Sequence, residues 1–331
     1  MRFGPVPVRE AEGGLLAHAL KLPGGKLRKG HVLSDADVAA LEAAGYANIT
    51  VARLEPGDMP ENEAALALAR AIHDGAAGLR LSTPFTGRVN FLAEGPGVVL
   101  LEPAKINAAN SVDPMITVAT VPALRQVHEG SMVATVKVIA YAVPGRAVTR
   151  AAEAARAAIR LAPPVYRTAS LVVTEIASGP GLKGVEAIEA RVTGLGMRLE
   201  ETLCVPHEEV ALRGALEAAR GEIVLILTGS ATSDPDDIAP RAVRAAGGRL
   251  ERFGMPVDPG NLLFLGKLGV RPVIGLPGSA RSPVLHGADW VLARVACGLE
   301  VTSAEIAAMG VGGLLKEIPT RPQPRQRKPG A

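Results

Sequence analysis

From residue 165 onward, apolar and polar positions fall into one repeating rhythm. Short continuous apolar runs predict buried strands at 169–176, 198–204, 223–227, 249–253 and 272–276, and helical spacing fills 185–195, 208–220, 238–246, 262–268 and 284–297. Strands alternating with helices of this length indicate βαβ units, hence a largely parallel sheet with helices on both faces. The earlier chain is patterned differently. Residues 1–80 read as a mixed α+β region, with helical spacing at 10–20 and helices at 38–44 and 63–73. Ser34 or Asp35 is the expected N-cap of the first of these, and Gly45 its stop. Residues 81–146 look β-rich, with runs at 88–93, 98–101, 116–121 and 133–141 between Gly, Pro, Asn and Asp turns. An alanine-rich helix at 147–161 and Pro163-Pro164 form a linker, 147–164, before the α/β domain at 165–318. The expected fold class is therefore α/β: a three-layer, largely parallel sheet domain preceded by a mixed α+β and a β-rich region.

Charge narrows the choice of ligand. The formal net charge of +3 comes from the tail 319–331, where Arg321, Arg325, Arg327 and Lys328 occur without an acid. Without those four, 32 basic residues face 33 acidic ones. The body therefore has no nucleic-acid footprint, and the Pro, Arg and Gln content of the tail reads as disorder. Cys204 and Cys297 lack CxxC spacing and read as buried thiols in a reducing cytoplasm. No run of about 18 apolar residues marks a membrane span. The six histidines form no HxxxH or HExxH pattern, so zinc chemistry is not expected.

Candidate chemistry lies at three glycine turns, each beside a predicted strand end. The apolar run 223–227 empties into Thr228, Gly229, Ser230, Ala231, Thr232 and Ser233, then into Asp234-Pro235-Asp236-Asp237. Small residues let backbone N–H groups approach a ligand, and the adjacent carboxylates Asp234, Asp236 and Asp237 could hold a cation. Asp236 or Asp237 could equally cap the helix that follows. The second turn is Asp258-Pro259-Gly260-Asn261. The third, Gly275-Leu276-Pro277-Gly278-Ser279-Ala280-Arg281-Ser282-Pro283, combines free N–H groups with Ser279, Ser282 and Arg281, a set suited to an oxyanion or to a plain tight turn. Upstream, Ser178-Gly179-Pro180-Gly181-Leu182-Lys183-Gly184 precedes a helix, where Lys183 would add positive charge or merely decorate a connecting loop.

As an ordered set these residues resemble the molybdopterin-binding domain shared by molybdopterin molybdenumtransferases and adenylyltransferases. Thr228-Gly229-Ser230 through Asp237 is similar to that family's Thr-Gly-Gly turn with its following Asp. Asp258-Pro259-Gly260-Asn261 resembles its Lys-Pro-Gly-Lys turn, and Gly275–Ala280 its Gly-Leu-Pro-Gly-Asn-Pro turn. Lys29-Gly30-His31-Val32-Leu33, with Asp37, Val38, Leu41 and Gly45, resembles the molybdenumtransferase linker region. Ser230, Asp258, Asn261, Ser279 and Ala280 depart from the pattern, and His207 stands where adenylyltransferases usually carry Asp.

The resemblance implies a cytoplasmic molybdenum-cofactor biosynthesis protein that binds molybdopterin or adenylyl-molybdopterin and supports Mg²⁺-dependent insertion of molybdate. Asp237 and Asp234 would be catalytic, with Asp236 joining them around Mg²⁺. Thr228–Thr232, Gly278, Ser279, Arg281, Ser282, Lys183, Pro259 and Gly260 would hold the pterin and its phosphates. A homodimer is implied, with no nucleic-acid or membrane partner, serving a molybdoenzyme or another cofactor-biosynthesis protein. The alternative reading is a non-catalytic module that carries or senses the cofactor.

Overall fold

In the run Ile223–Leu227 no side chain is exposed, and a strand buried on both faces can lie only inside a sheet covered on both sides. The computed structural model, which describes residues 1–315, builds its second unit around this strand. The chain divides into two compact units. The first comprises residues 1–95, 99–123 and 129–161; the second gathers 96–98, 124–128 and the chain from 162 onward.

The elements of the second unit after residue 162 are β1 (Thr168–Glu175), α1 (Val185–Thr193), β2 (Arg198–Pro206), α2 (Glu209–Ala218), β3 (Ile223–Leu227), α3 (Ile238–Ala245), β4 (Arg249–Phe253), β5 (Phe264–Leu268), β6 (Arg271–Leu276), α4 (Gly287–Ala296) and α5 (Ser303–Ala307). The sheet order is β2-β1-β3-β6-β5-β4. The first four strands are parallel, while β5 runs antiparallel to both β6 and β4. Alternation along the strands divides the core. Val172, Val224, Ile226 and Val273 pack with Leu212 and Leu216 of α2 and with Ala239, Ala242 and Val243 of α3. Leu171, Val173, Leu225, Leu227 and Ile274 point the other way and are equally buried.

The expected helix at 262–268 is instead strand β5. An apolar Leu-Leu-Phe-Leu run cannot be told from a helix by periodicity, and here pairing on both sides decides. Gly269, at φ 61°, closes a two-residue turn into β6 with Leu268 opposite Arg271. Three other expectations shift. Helical spacing at 10–20 yields a 3₁₀ turn, Val8–Glu10, and the strand Leu15–Leu16, because Gly13 (φ 71°) and Gly14 break it. The alanine-rich helix stops at Ala154, Ala157 takes φ 53°, and Ile159–Ala162 is a strand. The helix expected from 284 starts at Gly287. Within the β-rich region an unexpected helix, Pro103–Asn110, also appears.

In the first unit, Arg2–Pro7, Asn48–Arg53 and Leu15–Leu16 form a small sheet around Val8, Leu16, Leu33, Leu41, Ile49 and Val51. Helix Asp35–Ala43 carries the expected cap: Ser34 and Asp37 satisfy each other's backbone N–H in a capping box. A four-stranded antiparallel sheet follows, in the order Ile116–Thr120, Met132–Val138, Arg88–Ala93, Leu79–Leu81.

The arrangement of the second unit positions a site. From β1 the chain moves to β2 on one side, then crosses to β3 on the other, so the order reverses between β1 and β3. Loops at the carboxyl ends of strands flanking such a reversal form a crevice. The loops after β1, β3 and β6 all emerge there.

Gly275 in β6 has no room for a side chain, since an added Cβ would sit 1.9 Å from the Phe264 ring. Gly275→Ala is expected to cost about 1–3 kcal/mol by overpacking. The double variant with Phe264→Leu should recover part of that loss in urea unfolding.

Candidate functional site

Loops leave carbonyl groups without helix or sheet partners, and those turned away from water need other donors. Two arginines supply them. Arg281, in the 3₁₀ turn Gly278–Arg281 after β6, donates through Nη1 to the Gly181 carbonyl at 2.9 Å and to that of Lys183. Its Nη2 donates to the Thr228 carbonyl at 3.1 Å. One guanidinium thereby joins the loops after β1, β3 and β6. Gly184 fits beneath it because, at φ 87°, any Cβ would meet the Arg281 Cα at 2.6 Å. No described residue accepts from the Arg281 Nε–H or from its second Nη2 hydrogen.

Arg191 of α1 spends all five donors. It meets Asp289 Oδ1 at 2.6 Å and the carbonyls of Ala187, Ala280, Ser282 and Val284 at 2.8–3.1 Å. Asp289 uses its other oxygen to accept the His286 N–H at 2.7 Å. The loop after β6 is thus bound at both ends to buried charge.

His286 completes that loop. Its Nδ1 accepts the Ala288 N–H at 3.0 Å, which makes it the N-cap of α4, so Nε2 carries the proton and donates to Ser279 Oγ at 2.8 Å. Burial, and then the Arg191 charge, push its pKa down to about 4, with Asp258 acting in the opposite sense. The turn Asp258–Asn261 closes on the same helix start, where the Pro259 carbonyl accepts the Gly287 N–H at 2.9 Å. Gly260 is buried, and Asn261 Nδ2 donates to the Met255 carbonyl at 3.3 Å.

In the loop after β3, buried Thr228 donates to the Ser230 carbonyl at 2.6 Å and lies 3.3 Å from the Thr232 hydroxyl. The Gly229 N–H donates at 3.0 Å to the hydroxyl of Thr174, the penultimate residue of β1. A Cβ on Gly229 would fall 2.7 Å from the Thr174 carbonyl, so only glycine lets this turn close against β1. Ser230, Ala231, Gly278 and Ser279 remain exposed at the edge, and Gly278 has open space where a Cβ would be.

The three carboxylates have separate occupations. Asp237 caps α3, with Oδ1 accepting from Ile238 N at 2.7 Å and Oδ2 from Ser233 N at 3.1 Å. Asp236 pairs with Arg244 at 2.6 Å. Asp234 Oδ1 accepts the Asp236 N–H at 2.8 Å, and no described residue bonds its second oxygen. Among the described residues no three His, Cys, Asp or Glu side chains converge as a metal site. The Lys183 side chain is exposed and bonds no described residue, and Ser282 Oγ accepts from Val284 N at 3.4 Å. Cys204, expected to be buried, is exposed on β2, whereas Cys297 is buried and its thiol is pushed up to about 11 by burial. The tail 319–331 lies outside the described residues. No described helix is long and apolar enough to cross a membrane.

The structure thus brings Thr228–Thr232, Gly278, Ser279 and Arg281 to one edge, with Pro259 and Gly260 packed at the start of α4. Thr174, Arg191, His286 and Asp289 were not legible as site residues. The signal that could mark the cap is the His286-x-x-Asp289 spacing, in which histidine is an unusual capping residue.

Comparison with known proteins bears on this unit. Residues 185–294 match the family model described as a probable molybdopterin binding domain, and residues 5–53 match a domain of unknown function. No curated protein matches the chain. Among solved structures, a molybdopterin biosynthesis MoeA protein from Pyrococcus horikosii aligns at 12% identity and TM-score 0.28, over 84% of this chain and 70% of its own. A molybdenum cofactor biosynthesis protein from Pyrococcus furiosus aligns at 13% identity and TM-score 0.24, over 93% of this chain and 65% of its own.

Two outcomes follow from the caps. His286 is deprotonated when folded and titrates near 6.5 when unfolded, so the folded state should lose about 1.4 kcal/mol per pH unit as pH falls from 6.5 toward 4. Urea unfolding at several pH values should show this slope, reduced in His286→Asn. Asp237→Ala should cost about 1 kcal/mol and Asp237→Asn less, since asparagine keeps the acceptor for Ile238 N and loses only the one for Ser233 N.

Proposed function

We propose that this protein, whose residues 185–294 match the family model of a probable molybdopterin binding domain, binds molybdopterin or adenylyl-molybdopterin at the carboxyl edge of its parallel sheet, within molybdenum-cofactor biosynthesis. One observation carries the reading. The loops after β1, β3 and β6 are locked together by Arg281 while the backbone at Ser230–Ala231 and Gly278–Ser279 stays exposed. Rigid loops with free N–H groups are what an anionic ligand requires, because little ordering remains to oppose binding. Arg281 retains donors for a phosphate, and the exposed Lys183, whose carbonyl Arg281 binds, adds a second positive charge.

The finer reading, from the resemblance, is a transferase supporting molybdate insertion with Mg²⁺. A preformed carboxylate cage does not fit these residues, because Asp236 is paired and Asp237 caps a helix. The residues do fit an ion that arrives on the ligand's phosphates, to which Asp234 would contribute its free oxygen. Such an ion would neutralise charge developing on the phosphate. The same commitments of Asp236 and Asp237 favour a second reading, a module that binds and hands over the cofactor without turnover. A cytoplasmic homodimer delivering to a molybdoenzyme or another cofactor-biosynthesis protein belongs to both readings.

The test uses Gly278→Ala, whose added methyl meets nothing in the protein. Its melting temperature should equal that of the parent, while its affinity for molybdopterin by isothermal titration should fall roughly tenfold or more, because the ligand approaches the backbone there. No binding by the parent chain would refute the assignment. Binding without molybdate insertion would select the module.

A further inference from the structure

We propose that His207 contacts the ligand and sets specificity in this crevice, its Nε2–H donating directly to an oxygen of a bound phosphate. This rests on the reading above. His207 follows the last residue of β2, at the same carboxyl edge, and its backbone N–H is fixed to the Glu175 carbonyl at 2.9 Å. Its ring is oriented by a residue that has little freedom. Thr174 is fully buried, its Oγ1 accepts the Gly229 N–H at 3.0 Å, and the same oxygen lies 2.8 Å from His207 Nδ1. A buried hydroxyl hydrogen needs an acceptor, and among the described residues Nδ1 is the one within reach. Thr174 therefore donates to Nδ1, and the ring's proton sits on Nε2.

That assignment leaves a half-buried N–H on the side of the ring away from Thr174, with no described residue accepting from it. Two hydrogen bonds separate the imidazole from the exposed turn after β3. The chain Gly229–Thr174–His207 thus has a donor at its ligand end. The chemistry at this position matters because Glu175 and Glu208 are both exposed beside it. A carboxylate at 207 would add a third acid and could meet a phosphate only through a cation, whereas an imidazole N–H meets it directly. The phosphate contact at this corner is therefore independent of metal.

Isothermal titration of the full chain with molybdopterin, with EDTA and with Mg²⁺, tests the proposal alongside melting temperatures. His207→Asn places its amide where Nδ1 was and removes the distal donor, so its Kd should rise about tenfold with the melting temperature unchanged. His207→Gln, whose amide reaches the Nε2 position, should restore most of the affinity. His207→Asp should bind more weakly still in EDTA and recover with Mg²⁺. Parent-like affinity in His207→Asn, or equal affinity of His207→Asp with and without Mg²⁺, would overturn the proposal alone. Equal weakening of His207→Asn and His207→Gln with lowered melting temperatures would mark a structural role and also overturn it. A parent chain that fails to bind molybdopterin overturns the functional reading, and this proposal with it.

Discussion

The second unit depends on how carbonyl groups in the loops beyond its parallel strands are satisfied. A strand that stops in a loop leaves acceptors without partners, and burying them unpaired would cost several kcal/mol across the edge. Arg281 and Arg191 meet this demand with eight hydrogen bonds between them. Seven of those end on backbone oxygen. Lysine could not replace either, because a guanidinium spans several carbonyls in one plane and an ammonium does not. This bonding ties the loops of the edge to one another, and the exposed residues Ser230, Ala231, Gly278 and Ser279 sit on that tied frame.

Cap residues and candidate site residues are largely the same residues. Asp237, His286 and Asp289 each complete a helix start, and each lies in or against a loop of the edge. A group with both duties cannot be optimised for one alone. This explains why three aspartates crowded in sequence are dispersed in space, one to a cap, one to an arginine, one to a turn.

Much of the architecture was legible because its signals are local. Strands with no polar interruption, such as Ile223–Leu227, and helices bounded by Ser34 or Gly45 declare themselves within a few residues. Phe264–Leu268 did not, since its apolar run suits helix and strand alike and only its neighbours β4 and β6 decide. The three turns at the edge could be read from glycine and proline. Their lock could not, because the contacts of Arg281 reach back roughly a hundred residues to Gly181 and Lys183, and no spacing rule marks such pairs. Thr174 illustrates the same limit, being an ordinary strand threonine until Gly229 and His207 are placed against its hydroxyl.

The membership of the second unit has a consequence for the order of assembly. Residues 96–98 and 124–128 belong to it although they are synthesised well before residue 162. During translation these short pieces emerge before the sheet that receives them exists, and they wait with their eventual neighbours still in the ribosome. The second unit therefore gathers three separate stretches of chain, and its order is complete only when the last of them has been made.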